Sequence, residues 1–256
     1  MQSTPAPTAG AGISFRHGKK SFVLPRSVSA DYIIGQVEKH GSFYERPLLM
    51  ALAARATRGS IAIDCGANVG NHALFFAGVM GLTVHAFEPV ARNRALLEQT
   101  VALNGLEARV QVLPVALSDR VGEVALETPD PGNPGMFRIS TQGETARTET
   151  LDGYLQGAAI DPADIALIKV DVEGHEVQLL QGAVATLAKT GAVVTAETAT
   201  MAEFDAVSAV LASAGYQPTA VYCATPTVLY EKHATAAAGV REAIAAHEAK
   251  QARRQT

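Results

Sequence analysis

The stretch Ala62–Phe76, AIDCGANVGNHALFF, most narrows what this chain can fold into. An apolar, β-branched entry meets an acid, then two glycines four residues apart, then a second apolar run. That order reads as a buried strand, a glycine turn and a helix too apolar to face water. From Ile61 onward the alternation repeats. TVHAFEP reads as a second strand, and ARNRALLEQTVALNG as a helix closed by Asn104-Gly105. RVQVLPVAL is a third strand and GEVALET a small extra one. ALIKVDVEG is a fourth, followed by the helix HEVQLLQGAVATLAK, with Val177, Leu180, Val184 and Leu187 on one stripe. AVVTAET is a fifth strand, 201–214 a helix, and YQPTAVYC and TVLYEKH two final strands. Repeated strand–helix units predict an α/β fold, a Rossmann-like and mostly parallel sheet with helices on both faces. Ligands on such sheets sit at the carboxyl ends of the strands, where the topology switches.

The flanks divide the chain further. Residues 1–11 are rich in Pro, Ala, Gly, Ser and Thr and are expected to be a disordered N-terminus. Residues 12–57 form an N-terminal extension with a lid helix. In it, FYERPLLMALAARA carries Tyr44, Leu48, Leu52 and Ala56 at four-residue steps, with Pro47 in the first turn. Residues 58–233 are the core, and 234–256 an Ala-rich C-terminal helix whose first turn Gly239 weakens. PDPGNPG marks 129–146 as a loop, and Phe137 and Arg138 make it the natural acceptor-selecting insert.

Composition excludes several classes. The 256 residues are 48% hydrophobic, enough for one sizeable core. A net charge of −4 gives no basic footprint for nucleic acid, and 5% aromatics without Trp leave little for base stacking. Cys65 and Cys223 make no disulfide framework. The start lacks a secretory pattern, and no uncharged apolar run reaches the ~18 residues of a membrane span. A soluble, cytoplasmic protein is expected.

The glycine turn discriminates between cofactors. A dinucleotide fingerprint counted from Gly66 needs glycine at 66, 68 and 71, where the chain has Gly66, Asn68 and Asn71. The Gly-Lys-Ser/Thr ending of a P-loop is absent too. What remains is Asp64-x-Gly66-x-x-x-Gly70, suited to a ligand without phosphate, such as S-adenosylmethionine. Its amino-acid end can use an acid near the turn and amides at a helix start. Its ribose offers two hydroxyls to a carboxylate at the end of strand two, and Glu88 stands there, 22 residues past Gly66. Asn68 joins this set as a turn residue that tolerates left-handed geometry.

DCGANVGNH, HAFEP, VALSD and above all LIKVDVEGHEVQLLQGA, with GSFYERPLL upstream and TETLDGYL before strand four, resemble the FkbM family of class I methyltransferases. The similarity covers roughly residues 17–200. It implies a seven-stranded sheet, S-adenosylmethionine as donor, and methylation of an oxygen on a sugar, glycan or natural-product scaffold. By position it implies that Asp64, Gly66, Gly70 and Glu88 hold the donor. Ala116 and Leu117, ending strand three, would flank its adenine. A nitrogen or macromolecular acceptor, or a donor-binding module without turnover, are the competing readings.

KVDVEGHE supplies the chemistry. On a strand, Asp171 and Glu173 point to the same side, with Lys169 one step deeper in the same phase. Asp171 is the acceptor-proton or donor-amine partner, Glu173 the second carboxylate and His175 a further catalytic candidate. Glu176 reads as a first-turn helix acid. Glu197, ending strand five, could join them. Asp171 and Glu197 are the candidate ligands if Mg²⁺ lowers the acceptor's pKa. Tyr44 and Glu45, on the helix before the sheet, could close over the donor. Cys65 reads as a buried small residue. Val240 and Ile244, four apart on the tail helix, could pack on a second subunit as a homodimer contact, or cap their own domain.

Overall fold

The structure is a computed structural model that describes residues 12–26, 31–127, 138–140 and 144–254. The expected disorder of 1–11 and the position of Phe137 lie outside the described residues. A hairpin, β1 (Gly12–His17) and β2 (Lys20–Pro25), leads to α1 (Tyr32–His40) and α2 (Arg46–Arg55). The alternating core opens with β3 (Ile61–Cys65), α3 (Asn71–Gly78), β4 (Thr83–Phe87), α4 (Ala91–Leu103) and β5 (Val110–Leu113). Next come β6 (Ala116–Leu117), β7 (Gly122–Glu127), β8 (Arg138–Ser140) and β9 (Glu144–Glu149). Then follow α5 (Leu151–Gly157), β10 (Ile165–Val170), α6 (Glu176–Gln181), α7 (Val184–Lys189) and β11 (Val193–Glu197). The chain finishes with α8 (Met201–Ser213), β12 (Tyr216–Tyr222), β13 (Thr227–Lys232) and α9 (Val240–Arg254).

Seven strands form the main sheet in the order β12-β13-β11-β10-β3-β4-β5. Pairs from β11 through β5 are parallel, and β13 runs antiparallel to both its neighbours. The chain winds outward from β3 to β5, then restarts at β10 on the other flank of β3. The strand order therefore reverses between β3 and β10, and that crevice is where a ligand belongs. Both strands are almost wholly buried, as their continuous apolar runs require. One core lies under α2, α3, α4 and the hairpin, the other under α5 to α9. Val240 and Ile244 are buried in the second core, so the tail helix caps its own domain. No described helix is long and apolar enough to cross a membrane.

The hairpin is stitched onto the core. Phe43 meets Phe15 and Phe75 edge-on, with ring centroids 4.8 and 5.2 Å apart. The Asn104 side chain accepts from Val23 N at 3.0 Å and donates to Val23 O at 2.7 Å.

Several expectations need correction. Strand three stops at Leu113, because Pro114 has no N–H to continue the ladder. Ala116 and Leu117 do not end it. They form β6 and pair with β9 in a separate sheet of order β6-β9-β7-β8. The 129–146 segment is not all loop, since it holds β8 and the start of β9. The helix expected across 175–189 breaks in two. A Cβ at Gly182 would lie 1.9 Å from Ser118 O, and Asp152 claims the amides of Ala185 and Thr186 to start α7. Val184, expected on the apolar stripe, is half exposed. Strand four ends at Val170, so Asp171 and Glu173 lie in the loop beyond it. Tyr44 and Glu45 precede α2 rather than riding on it.

Candidate active site

The donor turn folds back on its neighbours. Gly66 has φ 76°, and a Cβ there would stand 1.9 Å from Asp171 O. The amides of Gly66 and Ala67 both donate to Phe87 O at 3.0 Å. Asn68 is left-handed, with φ 50°, and its N–H donates to Glu88 Oε2 at 2.8 Å. The other oxygen of Glu88 accepts from Val90 N at 2.9 Å. Glu88 thus ties the β4 tip to the glycine turn while only 4% exposed. Burial pushes its pKa up to about 7, against the pull of the Val90 and Asn68 amides. Gly70 starts α3 with φ 88°, leaning on Leu97.

A cleft of about 700 Å³, counted to its open mouth, lies over these strand tips. Gly66, Asn68 and Glu88 line one side, and Asp171, Glu173 and His175 the other. Ala116 and Leu117 reach its wall from β6, beside Phe87 and Leu126. Asp64, Gly70, Tyr44 and Glu197 do not line it. Oδ1 of Asn68 is shielded from water and accepts no hydrogen bond among the described residues, and the equally shielded oxygens of Asp64 have only the Lys169 ammonium, 3.3 Å from Oδ1. An orphaned acceptor such as Asn68 Oδ1 on the cleft wall fits a polar ligand that would supply the donor. His175 Nε2 lies 2.8 Å from Ser118 Oγ, and burial lowers the ring's pKa, so it is held neutral.

Lys169 sits at the centre of the charges, although the sequence reading used it only as a deeper neighbour. Its Nζ is 3.3 Å from Asp64 Oδ1 and 3.3 Å from Asp171 Oδ2. It also donates to Gly66 O at 2.8 Å and Cys65 O at 3.4 Å. Burial works against its charge, but Asp171 and Asp64 override this and hold its pKa above the ordinary lysine value. One oxygen from each of Asp171, Glu173 and Glu197 lies within 4.8 Å of the others, a spacing that could hold a cation. The residues expected together on strand grounds therefore do meet, through a loop in which Glu173 takes φ 56°. Glu173 is partly exposed. Desolvation by the cleft walls, then the charges of Asp171 and Glu176, push its pKa up to about 7. Glu197 is raised well above the usual carboxylate range by burial and by the same acids, and it hydrogen-bonds Asp171. Glu176 closes the loop by accepting from the amides of Val172 and Gly174 at 3.0 and 3.2 Å.

On the other side of Asp171 stands the N-terminal extension. Asn71, unused in the sequence reading, grips the Tyr44 backbone twice, accepting from its N–H at 3.0 Å and donating to its O at 3.1 Å. The Tyr44 hydroxyl is raised by burial, with Glu45, Tyr32, Cys223 and Asp171 close enough to add to the shift. Tyr32 packs edge-on against Tyr44, centroids 5.8 Å apart. Glu45 pairs with His72 at 3.3 Å. Burial would raise its pKa, but hydrogen bonds from His72 and Cys223 hold it below the usual value. Cys65 is fully buried, which pushes its thiol up and leaves it unreactive.

Residues 64–218 match the Methyltransferase FkbM domain, a range that begins at Asp64 and holds every residue lining the cleft. The chain belongs to the FkbM methyltransferase family. Hexuronic acid methyltransferase AglP of Haloferax volcanii is 28% identical over 141 residues, covering 54% of this chain and 56% of that protein. The chain thus spans about half the length of this curated relative. The FkbM methyltransferase of Methylobacillus flagellatus is 16% identical, covering 80% of this chain and 63% of that one, with TM-score 0.47. Sp1610 of Streptococcus pneumoniae, solved with S-adenosyl-L-methionine, is also 16% identical, covering 77% and 78%, with TM-score 0.47.

Proposed function

We propose that this FkbM chain is an S-adenosylmethionine-dependent methyltransferase that methylates a hydroxyl of a sugar, glycan or natural-product scaffold. One observation carries the reading: Glu88 and the water-shielded, unsatisfied Oδ1 of Asn68 line the cleft over the tips of β3 and β4, next to the reversal of strand order. When bound, the donor supplies an electrophilic methyl on a good leaving group. Glu88, each of whose oxygens keeps a lone pair beyond its amide bond, would hold the ribose hydroxyls. Asn68 Oδ1 would accept from the amino-acid end, with Asp64 and Lys169 bracing the turn beneath it. Ala116, Leu117 and Leu126, with Phe87, would wall the adenine and exclude water.

The acceptor's proton goes to the Asp171–Glu197 pair, with Glu173 as the neighbouring carboxyl. Lys169 pairs with Asp171 and fixes its side chain. His175 has Nε2 engaged by Ser118, so we assign it to the donor wall rather than to proton transfer. The Haloferax relative, named for a hexuronic acid, supports a sugar acceptor. The three carboxyls could instead seat Mg²⁺, but Asp171 already pairs with the Lys169 ammonium and hydrogen-bonds Glu197, which supports the metal-free route. We also read the enzyme as cytoplasmic, its two cysteines being unpaired.

The test is donor titration by calorimetry, followed by labelled methyl transfer to hydroxylated glycans and natural products. Glu88→Ala should weaken donor binding at least about tenfold, and Asp171→Asn should lower kcat by about 10²–10⁴. Turnover abolished by EDTA and restored by Mg²⁺ would assign deprotonation to the ion. No donor affinity in the intact chain would end the proposal.

A further inference from the structure

The wall assigned to the adenine holds a hydrogen-bond relay that methyl transfer itself leaves unused. Leu117 and His175 both line the cleft, and Ser118, next to Leu117 in the chain, ties them together. Ser118 is 4% exposed and held on three sides. Its N–H donates to Glu149 O at 2.9 Å. Its carbonyl lies against Gly182, where a Cβ would stand 1.9 Å away. Its hydroxyl meets both Asp119 and His175. The imidazole edge that touches Ser118 is therefore fixed beside Leu117.

The relay dictates where the protons sit. A carboxylate accepts and does not donate, so the single hydroxyl proton of Ser118 goes to Asp119 Oδ1, 3.1 Å away. Ser118 Oγ then has only lone pairs for His175, and Nε2, at 2.8 Å, is the donor. A neutral imidazole carries one N–H, which leaves Nδ1 an acceptor. With Nε2 committed to Ser118, Nδ1 is the ring nitrogen left for a molecule in the cleft. Purines differ at the edge such a nitrogen would read. Adenine carries an amino group at C6, which donates. Hypoxanthine carries a carbonyl there, whose lone pairs would face the lone pair of Nδ1.

Resting on the donor reading above, we propose that His175 is a specificity-determining residue for the donor: its Nδ1 accepts from the C6 amino group of adenine. Ser118 and Asp119 are positioning residues that lock the tautomer this requires.

Calorimetric titration of the full chain with S-adenosylhomocysteine and S-inosylhomocysteine tests this. The intact chain should bind the adenosyl compound at least about tenfold more tightly. His175→Phe, which keeps a flat ring without nitrogens, should bring the two affinities within about threefold. His175→Asn, whose amide oxygen can stand in for Nδ1, should keep the preference. Ser118→Ala frees Nε2 and lets the ring carry its proton on Nδ1. The gap should then narrow because the inosyl compound gains affinity, which a loss of packing would not produce. Nitrogen-15 NMR of the histidine-labelled chain, with the signal assigned by its loss in His175→Asn, should show the Nε2–H tautomer. No preference in the intact chain, an undiminished preference in His175→Phe, or an Nδ1–H tautomer would overturn the proposal and leave donor binding standing. If neither thioether nor S-adenosylmethionine binds the intact chain, the donor reading falls with it.

Discussion

Replacing Lys169 with Met, which keeps the stem and removes the ammonium, tests how the donor strand and the β10 loop are held together. Asp64 is 0% exposed, and Lys169 is its ion partner at 3.3 Å. Asp171 keeps about a third of its side chain in water and can recover solvation. The cost therefore falls mainly on Asp64. Stranding one partner of a buried pair costs about 3–5 kcal/mol. The carbonyls of Gly66 and Cys65 also lose a donor, worth about 1 kcal/mol each if water does not replace it. Local relaxation and water entry return part of the total, so a net loss of about 4 kcal/mol is expected. At about 2–4 °C per kcal/mol for a chain of this size, Tm should fall by roughly 8–16 °C. The chain has no Trp, so urea and thermal unfolding are best followed by far-UV circular dichroism. Adding Asp64→Asn to Lys169→Met should recover at least about 2 kcal/mol, because the stranded charge disappears. A single-variant loss under about 1 kcal/mol, or no recovery in the double variant, would refute the reasoning.

Two further outcomes follow from particular residues. Glu88 has a folded pKa of about 7 against an ordinary 4.5, so the folded chain retains a proton that the unfolded chain releases. Its contribution to stability is full below about pH 4.5 and lost as pH rises to about 7. Donor affinity should move oppositely, rising through pH 7 as the carboxylate forms, and Glu88→Gln should flatten both curves in melts and calorimetry. Asp152→Ala removes the acceptor of three hydrogen bonds at the start of α7, from Ala185 N, Thr186 N and Thr186 Oγ1. It should cost about 1–2 kcal/mol in urea unfolding and leave donor affinity unchanged.

Where the sequence spoke clearly, the signal was local. Alternating apolar runs and turn residues carried the strand–helix order, and the spacing from Gly66 to Glu88 put Asp64 and Glu88 at the tips of adjacent strands. What it hid depends on contacts between distant residues. Gly182 breaks a helix because Ser118, 64 positions away, leaves no room for a Cβ. The switch of Ala116 and Leu117 into a second sheet turns on their pairing with Thr148 and Glu149, although Pro114 was a visible warning. Nothing near Asn71 announced that its amide would grip Tyr44. Lys169 looked like an ordinary strand residue until the fold brought Asp64 beside it.

The aromatic seam between the hairpin and α3 has a consequence for how such proteins diversify. Tyr32, Tyr44 and Glu45 all arrive on the segment that this seam anchors, whereas the acids of the donor turn arrive on the sheet. Exchanging the leading segment between relatives would therefore change what stands beside Asp171 and leave the Gly66 turn as it is. Trimming the chain at Asp64, where the family match begins, would bare the ring of Phe75 that Phe43 now covers.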